Sequence, residues 1–177
     1  MGKLKEGFVQ VYTGNGKGKT TAALGQAIRA AGAGLKTYII QFMKEYPYSE
    51  LTSLKHLSEW ITIEQKGNDD FVYKKELPSE AEKSKARESL KMAQDLMLSQ
   101  SYNLIILDEV LVTVYFKLLT TEEIISVIKN KPAEIELILT GRYCPDEIIA
   151  TADLVTEMKE VKHYYTKGIL SRKGIES

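Results

Sequence analysis

Hydrophobic and polar positions along this chain alternate between two periodicities. Short, nearly continuous apolar runs at 8–12, 37–42, 61–64, 103–108, 135–140 and 154–158 predict strands. Between them, apolar residues recur at helical spacing. Ala23, Ala27 and Ala30, with Leu24 and Ile28 beside them, predict a helix over 19–31, and Gly32 and Gly34 stop it. Leu51, Leu54 and Leu57 predict a helix over 49–60 that Ser49 is placed to cap. A long helix opens at Ser79, with Glu82 completing a capping box and Ala86, Leu90, Ala93 and Met97 as its buried stripe. Further helices are predicted over 110–118, over 121–130 with Thr121 as cap, and over 145–150. About six strands alternating with helices define an α/β fold with a largely parallel sheet, in one domain over 1–177. From residue 159 little periodicity remains, and residues 159–177 are expected to be a C-terminal tail that contributes to the functional site.

The break between the first strand and the first helix carries the chemistry. It reads Thr13-Gly14-Asn15-Gly16-Lys17-Gly18-Lys19-Thr20-Thr21. Glycines let successive backbone N–H groups face one anion, and the helix behind adds the positive end of its dipole. Lys19 supplies a mobile charge for phosphate, and the Thr20 hydroxyl is placed for a phosphate-bound Mg²⁺ (or Mn²⁺). This is the strand, loop and helix of a P-loop protein, and it predicts a P-loop NTPase-like, RecA-like sheet. The usual spacing puts glycine at 13, where this chain has Thr13.

A second diagnostic stretch is the apolar strand that ends in Asp108-Glu109. A carboxylate there binds Mg²⁺ directly or through water, opposite Thr20, and Glu109 is a second ligand or a base. Gly141-Arg142 follows the next strand, so Arg142 is placed to reach nucleotide phosphates or to pair with a neighbouring acid. In parallel sheets ligands bind beyond the carboxyl ends of the strands, where all three stretches converge. These features fit kinases, ATPases, recombinases and rarer group transfers alike.

The 177 residues carry 24 basic and 24 acidic side chains, a net charge of zero that argues against a nucleic-acid partner. The single cysteine, Cys144, excludes an internal disulfide and is expected as a small buried apolar residue. No stretch has the apolar length of a membrane span, and a cytoplasmic location with no membrane partner is expected. In the tail, Lys159, Lys162, Lys167, Arg172 and Lys173 stand against one acid, Glu160, as a solvated face or an attractor of anions.

The stretch from Val11 to Gly25 resembles the bacterial ATP:corrinoid adenosyltransferases of the cobalamin-synthesis type. So do Gln41-Phe42, Leu107-Asp-Glu109, Leu139-Thr-Gly-Arg142, Val161-Lys-His163, Gly168 and Arg172-Lys-Gly-Ile-Glu176, in the same order across residues 8–176. Thr13 in place of glycine belongs to that family's pattern. The resemblance implies transfer of the 5′-deoxyadenosyl group of ATP to the Co(I) of a reduced corrinoid, with release of triphosphate. It implies Gly14 to Thr21 on the triphosphate, and Thr20, Asp108 and Glu109 on the metal. It also implies a homodimer and a flavin-type reductant protein as partner. Lys19 and Glu109 enter as catalytic residues. Phe71 and Tyr73 join them as the counterpart of the Phe-x-Trp pair that the family sets against the corrin; tyrosine stands where tryptophan is expected. An aromatic pair folding its loop onto the core is the alternative for Phe71 and Tyr73. A kinase or ATPase acting at the γ-phosphate is the alternative for the whole chain.

Overall fold

A computed structural model describes residues 2, 4–67 and 76–177. Six strands, β1 (Val9–Thr13), β2 (Thr37–Phe42), β3 (Ile61–Lys66), β4 (Leu104–Asp108), β5 (Glu136–Thr140) and β6 (Leu154–Glu157), form one sheet in the order β3-β2-β4-β5-β1-β6. Every pairing is parallel, so the sheet expected to be largely parallel is wholly so among the described residues. The helices are α1 (Lys19–Gly32), α2 (Ser49–Leu54), α3 (Glu80–Leu98), α4 (Val110–Tyr115), α5 (Thr121–Lys129) and α6 (Asp146–Thr151).

The period-two alternation of the strands sorts their side chains into two cores. Ile39, Leu104, Ile106 and Ile138 pack against Ala23, Ala27 and Ala30 of α1 and Leu54 of α2. Tyr38, Ile40, Phe42, Ile105, Leu107, Leu137 and Leu139 pack on the other face against α3, α4, α5 and Ile148 of α6. Both faces being covered, β2 and β4 are buried along their whole length, which is why they read as continuous apolar runs. Each fully buried leucine or isoleucine contributes roughly 1.5–3 kcal/mol of transfer free energy. The expected edge strand β6 is exposed throughout.

Local chemistry explains where the element boundaries differ from expectation. Ile28 lies off the α1 stripe and is 52% exposed, whereas Ala23, Ala27 and Ala30 are buried and Leu24 packs half-buried beside them. The helix expected over 49–60 runs only to Leu54 and tightens into a 3₁₀ turn, Lys55–Leu57, before Trp60 feeds β3. Tyr48, not Ser49, occupies its N-cap, and the Ser49 hydroxyl donates instead to the Ser177 carbonyl at 2.9 Å. The capping box at Ser79 and Glu82 forms as expected. For α5 the cap is Thr120 rather than Thr121, because Thr120 places Glu123 at the third helical position where both bonds of a capping box close. Helix α4 ends at Tyr115, short of 118, with Lys117 in the left-handed region at φ 60°. Pro145 is the N-cap of α6 and not its first residue. Among the described residues no helix is long and apolar enough to cross a membrane.

Candidate active site

β1 delivers the chain into the glycine-rich loop, and α1 leaves it from the N-cap Gly18. The loop lies against the turn that follows β6: Gly16 N–H donates to the Met158 carbonyl at 2.6 Å, and Met158 N–H donates to the Thr13 carbonyl at 2.8 Å. Gly14 has a φ of +95°, and a Cβ there or on Gly16 would meet the Met158 carbonyl oxygen at 2.6 Å. Those glycines therefore serve close backbone packing as well as loop shape. Thr13 is buried at the end of β1, while Asn15 and Thr21 are exposed.

Lys19 is buried at the start of α1, its Nζ donating to the carbonyls of Gly14 at 2.7 Å and Gly16 at 2.8 Å. Burial lowers its pKa, and the nearby Arg142 charge adds to that, against the raising effect of Glu109 and Asp108. Arg142 is exposed and acts on the site electrostatically.

Asp108 ends β4 and is 1% exposed. It accepts four hydrogen bonds. Thr20 Oγ1 at 2.8 Å and Thr140 Oγ1 at 2.7 Å reach Oδ1; Lys44 Nζ at 2.7 Å and Gln41 Nε2 at 3.2 Å reach Oδ2. The sheet order explains this convergence. β5 separates β1 from β4, and β2 flanks β4 on its other side, so Thr140 and Gln41 come from the two strands that border Asp108. Glu109 follows in a left-handed conformation, φ 61°, its N–H donating to Thr140 Oγ1 at 2.9 Å. Burial first, and then the Asp108 charge, holds the Glu109 carboxyl above its ordinary range.

Lys44 is the site residue that sequence reasoning did not reach. It follows β2 in a polar stretch whose composition reads as a loop, and only the Gln41-Phe42 strand end just before it gave a signal. Burial lowers its pKa, but the adjacent Asp108 carboxylate outweighs that and the net shift is upward. The residue between strand and lysine, Met43, is left-handed at φ 53°. That turn sends Met43 into a pocket of about 340 Å³ and Lys44 to Asp108. Phe42, Met92 and Leu118 give the pocket apolar lining, and Lys66, Glu82 and Lys85 are among its polar residues.

The tail also reaches the loop. Lys17 Nζ donates to Glu176 Oε1 at 3.0 Å and to the Ile175 carbonyl at 2.8 Å. Glu176 further accepts from Tyr164 Oη and from the Arg172 guanidinium, at 3.1 and 3.2 Å, and these partners hold its carboxyl well below the usual range. Lys162 and His163 line a second pocket of about 270 Å³ together with Gly16 and Lys17. His163 acts as a hydrogen-bonding residue, its Nδ1 accepting from Tyr165 N–H at 3.0 Å. Cys144 is half-buried on the larger core, and burial pushes its thiol up to about 12. Phe71 and Tyr73 lie outside the described residues.

The site can thus hold a polyphosphate between loop and helix dipole, with carboxylate and hydroxyl oxygens beside it. Among the described residues no cluster of three His, Cys, Asp or Glu forms a cage. The Thr20–Asp108 oxygen pair instead suits Mg²⁺, which uses one or two carboxylates and takes its other ligands from water and phosphate. Fold and loop define a P-loop nucleotide-binding protein of the RecA-like class. A KaiC-like protein from Pyrococcus horikoshii shares the fold, with a TM-score of 0.57 at 18% identity over 98% of this chain and 77% of its own. The profile described as ATP:corrinoid adenosyltransferase BtuR/CobO/CobP matches residues 5–177, and the chain belongs to that family. Similar proteins include the corrinoid adenosyltransferase of Escherichia coli K12, 33% identical over 97% of this chain and 86% of its own. The corrinoid adenosyltransferase CobA of Salmonella typhimurium matches to the same extent, and that of Pseudomonas aeruginosa is 31% identical over 97% of this chain and 84% of its own. This protein is accordingly an enzyme with ATP and a corrinoid as substrates.

Proposed function

We propose that the protein moves the 5′-deoxyadenosyl group of ATP onto the Co(I) of a reduced corrinoid, in adenosylcobalamin synthesis or salvage, with the loop gripping the leaving group. The observation that carries the reading is the 2.8 Å bond between Thr20 of the loop and Asp108 of β4, which joins both diagnostic stretches in one site. Cobalt attacks the ribose 5′ carbon, a Co–C bond forms, and the C–O bond to the α-phosphate breaks with its electron pair leaving on triphosphate. Negative charge grows on the polyphosphate, so donors fixed around it stabilise the transition state. Backbone N–H groups of 14–21, the Lys19 ammonium and Arg142 are those donors. Mg²⁺ (or Mn²⁺), held by Thr20 and Asp108 with Glu109 beside them, would supply further charge compensation on the polyphosphate. No side chain is needed as general base, because the nucleophile is the metal of the substrate.

The pocket behind Met43 is the proposed corrin site. It has an apolar lining and a polar rim, it shares the 43–44 turn with the phosphate site, and Lys66-Gly67 on its border lead in sequence to Phe71 and Tyr73. Tail residues 159–177 complete the nucleotide side through Glu176 and Lys17. A cytoplasmic homodimer served by a flavin-type reductant protein, with no nucleic-acid or membrane partner, completes the proposal.

Incubation with ATP, Mg²⁺ and chemically reduced cobalamin tests it. Triphosphate and a Co–C bonded corrinoid are expected; ADP and phosphate without alkylated cobalt would overturn it. Lys19→Ala is expected to abolish ATP binding. Phe71→Ala is expected to spare transfer to already reduced corrinoid and to slow the reaction driven by a weak reductant; equal loss in both assays would make the loop structural.

A further inference from the structure

Of the four donors on Asp108, only Lys44 brings a full charge. Its side chain is 11% exposed, and its ammonium also lies 4.9 Å from the centre of the Tyr48 ring. Lys19, the loop lysine, is turned to the Gly14 and Gly16 carbonyls instead. The two oxygens of Asp108 are therefore divided. Oδ1 faces the loop hydroxyl of Thr20, whereas Oδ2 is neutralised by an ammonium tethered to the neighbouring strand end.

A divalent cation arriving alone would find a carboxylate already paired, with Lys19 and Arg142 adding positive charge around it. A polyphosphate changes that balance, because it brings negative charge enough for the metal and for the lysine together. We propose that Lys44 is a built-in competitor for the divalent cation at Asp108, so that metal loads together with polyphosphate while the Lys44 ammonium passes from Asp108 to the phosphate oxygens. Lys44 is then a positioning residue that couples metal binding to nucleotide binding. The proposal rests on the reading of Thr20 and Asp108 as metal ligands. Its chemistry is an exchange of ionic partners, with no bond made or broken.

Mn²⁺ binding followed by electron paramagnetic resonance tests it, on the wild type, Lys44→Met and Lys44→Arg, with and without inorganic tripolyphosphate. The wild type is expected to bind Mn²⁺ weakly alone and tightly with tripolyphosphate. Removing one unit charge about 4 Å from the cation, even at a water-like dielectric constant of about 80, is worth at least about tenfold in divalent-cation affinity. Lys44→Met is therefore expected to bind Mn²⁺ alone at least about tenfold more tightly than the wild type, and Lys44→Arg to stay with the wild type. A gain below about threefold in Lys44→Met, with tripolyphosphate-dependent binding intact, overturns the role of Lys44 and leaves the metal site standing. No Mn²⁺ binding by any of the three proteins with tripolyphosphate overturns both. Should Lys44→Met unfold in metal-free buffer, recovery of its circular dichroism on adding Mn²⁺ supports the competition, and failure to recover overturns it.

Discussion

The Lys44–Asp108 pair makes a quantitative claim about stability. Asp108 is 1% exposed and Lys44 only 11% by side chain, with 2.7 Å between Nζ and Oδ2. Taking one partner from a buried pair strands the other charge and costs about 3–5 kcal/mol, whereas replacing both with neutral groups is often close to neutral. Asp108→Asn keeps an amide oxygen for Lys44, and the lysine keeps its Tyr48 ring, so the low end applies and about 3 kcal/mol is expected. Lys44→Met leaves Asp108 its bonds from Thr20, Thr140 and Gln41, and about 2–3 kcal/mol is expected. The double variant strands no charge and is expected within about 2 kcal/mol of the wild type. Either single loss is a large share of a total stability of about 5–15 kcal/mol.

Urea unfolding of the four proteins in metal-free buffer measures this cycle, provided the m-value stays constant. A coupling of at least about 2 kcal/mol is expected, with the double variant more stable than either single one. Single losses that add to within about 0.5 kcal/mol would mean the pair carries no mutual energy, and the reasoning from burial and distance would be wrong.

Three further outcomes follow from the geometry. Thr120→Ala should cost about 1 kcal/mol through the lost α5 cap and Thr121→Ala less than about 0.5 kcal/mol, measured by thermal unfolding; equal losses would return the cap to Thr121. Because burial raises the Glu109 pKa, the native state holds that proton more tightly than the unfolded chain. The resulting penalty is present at neutral pH and relieved as pH falls through the raised value toward the ordinary glutamate range. Glu109→Gln should therefore be more stable than the wild type near about pH 8, and the difference should shrink toward about pH 5; a pH-independent difference would contradict the sign. Glu176→Gln should loosen the tail from Lys17, Tyr164 and Arg172, so that trypsin cuts after Lys162, Lys167 or Arg172 faster than in the wild type; an unchanged cleavage pattern would mean that Glu176 does not hold the tail.

Features that depend on neighbours in sequence were legible, and features that depend on distant partners were not. The strands announce themselves because residues such as Ile105, Ile106 and Leu107 face two covered sides at once. The loop and Asp108 are legible because each combines a strand end with residue types that phosphate or a cation requires. Thr120 and Thr121 are equally good caps in isolation; Glu123, three residues on, decides between them. Lys44 is a different case. Its partner lies 64 positions away, and a lysine in a polar stretch after a strand is ordinarily solvated. The tail behaves likewise, since the bond from Lys17 to Glu176 spans 159 positions and leaves no periodicity.

The 43–44 turn also bears on how one small sheet can serve two large substrates. Parallel strands deposit their functional groups along one edge, and a strand end normally serves the ligand directly above it. A left-handed residue after β2 changes that, because it breaks the strand alternation, so that Met43 shares a pocket with Phe42 while Lys44 turns to Asp108. Met43 lines the apolar pocket and Lys44 grips Asp108 of the phosphate site. Two neighbouring residues, one peptide bond apart, thus face the phosphate site and the adjoining pocket from a single turn.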